Sequence, residues 1–189
     1  MQRRTGLLLI VIAVLATFPQ PAAGQRDRAS DSERKGLFVH NLILFVLWPA
    51  DAFQNPTDAV RVQVIGRDPF DGLLDRLLAD KSMDRRRVVV THSVASPTAP
   101  FPHVLFVSAS EEPRLGRVLA AYCHAPVLTV SDIDHFANRG GVIGLVEEDH
   151  ALRFTINQTA ASEARLQVSA QLFHLAVPLL SAISPCGAR

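Results

Sequence analysis

Three times along this chain of 189 residues, a short run of apolar, largely β-branched residues is followed at once by the polar signature of a helix start. "VQVIG" leads into Arg67-Asp68-Pro69-Phe70-Asp71, "HVLFV" into Ser108-Ala109-Ser110-Glu111, and "VLTV" into Ser131-Asp132-Ile133-Asp134. Runs that are apolar at nearly every position suit strands buried on both faces, and such strands belong to parallel sheets covered by helices. Strands are expected at 61–66, 86–93, 103–108 and 126–131, with helices at 67–80, 111–123 and 132–138. "GVIGLV" and "ALRFTI" flanking "EEDH" read as an antiparallel hairpin in the C-terminal half. Residues 159–183 read as mostly helical, with a short strand at 166–169. The fold class expected is a single-domain α/β sandwich with a largely parallel sheet and helices on both faces.

The third exit raises the question of chemistry, because "SDIDH" sets Ser131, Asp132, Asp134 and His135 within five positions. The comparison within the chain answers it. A capping serine satisfies an otherwise orphan N–H, and acids in the first turn suit the positive end of the helix dipole. Ser108 with Glu111 has capping-box spacing, yet that exit holds no histidine. Motifs of the GxSxG, HExxH and phosphate-loop kinds are absent from the sequence. A hydrolase built on Ser131 and His135 is therefore set aside, and no catalytic residue and no metal site is assigned. The strand ends still define the crevice in which ligands of parallel sheets bind. Asp68, Ser110, Ser131, Asp132 and Asp134 are the candidates for lining it, and the carboxylates favour a small cationic or zwitterionic ligand over an anion. The "NQT" triplet at 157–159 fits a glycosylation sequon and equally a strand end with a cap.

The N-terminus has a different character. Arg3 and Arg4 precede the apolar run "LLLIVIAVLATF" (7–18), and Ala22 and Gly24 supply small residues before Gln25. That order is a signal peptide's, with residues 1–24 removed, and the run is too short to span a bilayer. Residues 25–33 are expected as a loose polar leader, 34–184 as the domain and 185–189 as a tail. The 19 basic and 18 acidic side chains of the full chain become 17 and 18 without Arg3 and Arg4. A near-neutral surface argues against nucleic-acid binding. Export to an oxidising compartment permits one bridge between Cys123 and Cys186, and two unpaired thiols fit the sequence equally.

Residues 42–48, "LILFVLW", are apolar in unbroken succession ahead of Pro49. A helix over 35–47 must then be buried on most faces or cover a partner. Leu44, Leu47 and Trp48 are the candidate partner-binding residues.

Five segments together resemble one family. They are "KGLFVHNLILFVLWP" (35–49), "VQVIGRDPFDGLL" (62–74), "HVLFVSASE" (103–111), "PVLTVSDIDHFANRGGVIGLVEEDHALRFTIN" (126–157) and "ARLQVSAQLFHLA" (164–176). The chain resembles the YfiR-like family of exported bacterial proteins. The resemblance implies a non-enzymatic periplasmic regulator without cofactors, a homodimer. It implies repression of an inner-membrane diguanylate cyclase through contact with its periplasmic part, and sequestration by an outer-membrane lipoprotein. In that family a lysine and an acidic residue often flank the phenylalanine of the first motif, where this chain has Leu44 and Leu47 around Phe45. Some members also carry more cysteines, so a redox switch does not carry over directly to Cys123 and Cys186. The alternative from another class is a periplasmic small-ligand sensor using the crevice.

Overall fold

The computed structural model describes residues 23–83, 85–93, 100–149 and 151–187, with the backbone alone described for 23–30. The expected signal peptide falls almost wholly outside these residues. In chain order the elements are α1 (Ala23–Ile43), β1 (Val46–Leu47), β2 (Val60–Ile65), α2 (Leu73–Leu78), β3 (Ser82–Met83), β4 (Arg86–Ser93) and β5 (Val104–Val107). They continue with α3 (Leu115–Ala121), β6 (Leu128–Ser131), β7 (Ile143–Glu148), β8 (Ala151–Ile156), α4 (Gln158–Glu163), β9 (Gln167–Val168) and α5 (Ala170–Leu175). Short 3₁₀ turns lie at Ala50–Ala52 and Ala109–Arg114.

Seven strands form one sheet in the order β3-β4-β2-β5-β6-β7-β8, parallel from β4 to β7, with antiparallel β3 and β8 at its edges. The chain is doubly wound: from β2 it crosses to β4 on one side, then to β5 on the other. One sheet face packs Val62, Val64, Phe106 and Val130 against Val39, Leu42 and Ile43 of α1 and Leu74 and Leu78 of α2. The opposite face packs Leu105 and Val107 against Leu115 and Leu119 of α3, with Ile133 and Phe136. The α/β sandwich and the β7–β8 hairpin are as the sequence predicts. All four residues of β5 and of β6 are buried, as their continuous apolar runs require.

Several helix boundaries differ from expectation for identifiable reasons. The leader 25–33 is not loose but continues α1. It is tied down where Asp31 pairs with Lys35 at 2.8 Å and the Ser32 hydroxyl donates to the Pro69 carbonyl. The helix ends at Ile43 rather than 47, because Val46 and Leu47 pair with Val168 and Gln167 of β9 and Ser169 donates to the Phe45 carbonyl. The β-branched and aromatic run takes a strand partner when one is near. α2 starts at Leu73, since Asp71 and Gly72 both take left-handed backbone conformations that no helix accommodates. Residues 132–140 are a chain of tight turns instead of a helix, with His135 and Gly140 at positive φ. Beyond α5 the chain runs extended to 183, bridging Val177 to Thr155. Asn157 caps α4 and is buried, its amide donating to the carbonyls of Ala137 and Ile183; this is the cap reading of "NQT".

Cys123, just after α3, is bonded to Cys186 in the C-terminal segment. The bridge closes a span of 63 residues, which in the chain-entropy treatment contributes roughly 4 kcal/mol.

Candidate functional site

The winding order places the topological switch point between β2 and β5, and their carboxyl ends would open a ligand crevice there. That space is filled by the protein itself. The Ser110 hydroxyl accepts from the Arg67 N–H at 2.8 Å, and a Cβ added to Gly66 would run into Ser110 Oγ and meet Glu111 Cγ at 2.9 Å. Gly66 has φ +88°, so the close approach and the left-handed backbone both call for glycine. Ser108 caps the 3₁₀ turn by accepting from Ser110 N–H, but its own N–H goes to the Ile65 carbonyl. Glu111 therefore does not close a capping box; 3% exposed, it turns to Arg114 at 2.7 Å. Asp68 is spent as well, accepting from Phe70 and Gly72 N–H and so capping the turn before α2.

Ser131 has no exposed surface. Its hydroxyl donates to the Val107 carbonyl at 2.6 Å and accepts from Ile133 N–H at 2.9 Å. The proton a nucleophile would surrender is committed to a neighbouring strand, and the exposed His135 makes none of these contacts. Asp132 binds Lys35 of α1 at 2.7 Å, clamping that helix across the strand ends. Burial works against the Lys35 charge, but hydrogen bonds and attraction from Asp132 and Asp31 outweigh it and raise the ammonium pKa. Asp132 and Asp134 line a cavity of about 410 Å³ with Lys35, His135 and Glu147. Of the five crevice candidates, these two share a cavity; Asp68 and Ser110 sit at the switch point, and Ser131 is interior.

A second cavity, of about 440 Å³, lies where α1 gives way to β1, lined by Ile43, Leu44, Val46, Leu47, Trp48, Phe53, Met83 and Arg86. Leu44 is 53% and Leu47 66% exposed, whereas Leu42, Ile43 and Val46 are core. Alternation in β1 and the turn at the end of α1 divide the apolar run in this way. Trp48 is half-buried and its indole N–H donates to the His103 carbonyl at 3.1 Å. The Phe53 ring stacks on the His103 imidazole at 4.3 Å, and the Arg86 guanidinium lies 4.0 Å over the other ring, that of Phe53. Phe53, Met83, Arg86 and His103 escape sequence reading. The first three reach this face through β3, β4 and a 3₁₀ turn, and His103 reads only as the start of a strand.

Among the described residues, Cys123, His124 and Cys186 are one grouping of potential metal ligands. His124 Nδ1 lies 3.9 Å from Cys186 Sγ, but with the two sulfurs bonded to each other neither is a thiolate.

The YfiR/HmsC-like family profile matches residues 32–177. The chain belongs to the YfiR/HmsC-like family. No curated protein matches it. Members of this family are regulators rather than enzymes, periplasmic, and act with diguanylate cyclases. The match takes in α1 from Ser32 onward, the apolar face and the hairpin. Cys123 lies inside it and Cys186 outside, so the bridge fastens a segment beyond the family match. Among the described residues, no helix is long and apolar enough to cross a membrane.

Proposed function

We propose that this YfiR/HmsC-like protein works in the periplasm and represses an inner-membrane diguanylate cyclase by docking on its periplasmic part. The carrying observation is the pair of exposed leucines, Leu44 and Leu47, around a cavity walled by Trp48, Phe53 and Met83. Exposed apolar surface of this kind is what a partner covers, and a half-buried tryptophan is a common anchor of binding energy. An outer-membrane lipoprotein that captured the same face would relieve repression. A role in binding rather than chemistry is supported by the strand-end groups Asp68, Ser110 and Ser131, which are bonded within the chain.

Deleting the protein in cells with an intact cyclase should raise cyclic di-GMP, and wild-type protein should restore the lower level. Folded Leu44→Lys and Leu47→Glu variants should fail to restore it. Unchanged cyclic di-GMP on deletion would refute the reading.

The cavity lined by Asp132, Asp134 and Glu147 favours a second reading, a sensor of a small cationic or zwitterionic ligand. Thermal shifts with free amino acids and polyamines, lost in Asp134→Asn, would bring that reading forward.

A further inference from the structure

His103 is 1% exposed and sits behind the apolar face without being part of it. Its ring is bonded at both nitrogens. Nδ1 accepts from the Arg61 backbone N–H of β2 at 2.9 Å, and Nε2 lies 3.0 Å from the Ala52 carbonyl. An acceptor at Nδ1 and a carbonyl at Nε2 define one tautomer, neutral with its proton on Nε2. The ring thus joins the sheet to the segment carrying Trp48 and Phe53. Phe53 stacks on it, Trp48 meets it edge-on at 6.3 Å, and the Trp48 indole holds the same residue's carbonyl.

We infer that His103 is an acid-sensitive latch: proton uptake at Nδ1 breaks the ring's bond to β2 and loosens residues 48–53, and with them the wall of the apolar face. The inference rests on the docking reading for its biological meaning, but the latch itself does not need a partner. A proton on Nδ1 would point at the Arg61 N–H, setting two donors against each other and leaving a buried charge. From β2 and β4 the groups facing the ring are the Arg61 and Arg86 guanidiniums, which oppose that charge; Asp58 from the preceding loop favours it. Arg61 and Arg86 cannot turn away freely, since Arg61 donates to the Phe101 carbonyl and Arg86 to those of Asn55 and Asp58. The Ala52 contact and the Phe53 stack survive protonation, and the His103 backbone N–H stays on the Arg61 carbonyl at 2.8 Å, so what fails is the ring's own bond to the Arg61 N–H. Burial, the largest cause, followed by the two arginines, brings the pKa down from 6.5 to about 4 despite the Ala52 bond.

A depressed histidine pKa means that the closed form is fully favoured above pH 6.5 and loses that advantage as pH falls through about 4. The ratio of open to closed should rise over that interval by up to roughly 300-fold. Trp48 is the chain's single tryptophan, so its fluorescence reports on this corner alone. Acidification of the disulfide-bonded, mature protein should red-shift Trp48 emission while far-UV circular dichroism stays unchanged. The His103 ring proton shift in NMR should titrate over the same range. In His103→Gln, which offers an acceptor and a donor but does not titrate, the red shift should disappear; His103→Phe serves if the glutamine variant does not fold. The latch is overturned if His103 titrates with Trp48 emission unmoved, if the red shift persists in a non-titrating variant, or if it merely accompanies global unfolding. None of these outcomes touches the cyclic di-GMP test, which is read at neutral pH.

Discussion

The carboxyl edge of the sheet and the end of α1 present opposite balances of polar and apolar groups. At the edge, Ser131, Ser110, Asp68 and Asp132 look reactive in sequence, yet each is engaged by a backbone group or by Lys35. At the end of α1, Leu44 and Leu47 belong to an unbroken apolar run and are exposed. Polar groups near strand ends are drawn inward because every helix or turn that starts there has N–H groups to satisfy. Apolar residues are pushed outward when the chain changes from helix to strand and one face can no longer hold them all. The leucines proposed for docking are those that the fold leaves uncovered.

The sharpest way to break this contrast is Ser131→Asp. An aspartate would cap Ile133 N–H but cannot donate to the Val107 carbonyl, and it would bury a charge at a position with no exposure. It should destabilise by about 3 kcal/mol or more in denaturant melts. Ser131→Ala leaves the Ile133 N–H unpaired and should cost about 1–2 kcal/mol. As a cap alone, Ser131 would tolerate aspartate better than alanine; the buried donated bond reverses that order. Equal melts for the two variants would mean the edge is open after all.

Next in size is Lys35→Met, which removes the clamp to Asp31 and Asp132 and should cost about 1 kcal/mol. Because the Lys35 pKa is raised above 10.5, the clamp's contribution is complete below that pH and is lost as pH rises through the higher native value. Alkaline melts of wild type and Lys35→Met should therefore converge. The smallest stability effects belong to the apolar face: Leu44→Lys and Leu47→Glu should shift stability by no more than about 0.5 kcal/mol. Binding to the cyclase's periplasmic part should nonetheless weaken by at least about tenfold, measured by titration calorimetry. A large stability loss in either variant would show that these leucines are core.

The central sheet was legible because "VQVIG", "HVLFV" and "VLTV" have one plausible fate, burial between helices. The closing hairpin was legible from its alternation around the polar turn. Less legible were the starts of α2 and of the 132–140 segment. Their capping residues are real, but Asp71, Gly72 and His135 adopt left-handed conformations that composition does not announce. For the candidate face, Leu44, Leu47 and Trp48 stood out as an apolar excess, while Phe53, Met83 and Arg86 did not.

What the sequence determined by itself was the α/β class, the parallel strands, the polar character of their exits and the apolar surplus before Pro49. Each follows from local periodicity and from hydrogen-bond demands that neighbouring residues meet. Tertiary structure alone decided which of those polar groups remained free and which leucines stayed outside. Val46 turned inward because β9, more than a hundred residues later, was there to pair with it, and Leu47 consequently turned out. His103 became a buried, doubly bonded imidazole because Arg61 and Ala52 arrived on either side of it. Such pairings join residues 42 and 51 positions apart, and no local pattern encodes which distant group will fill a given hydrogen bond.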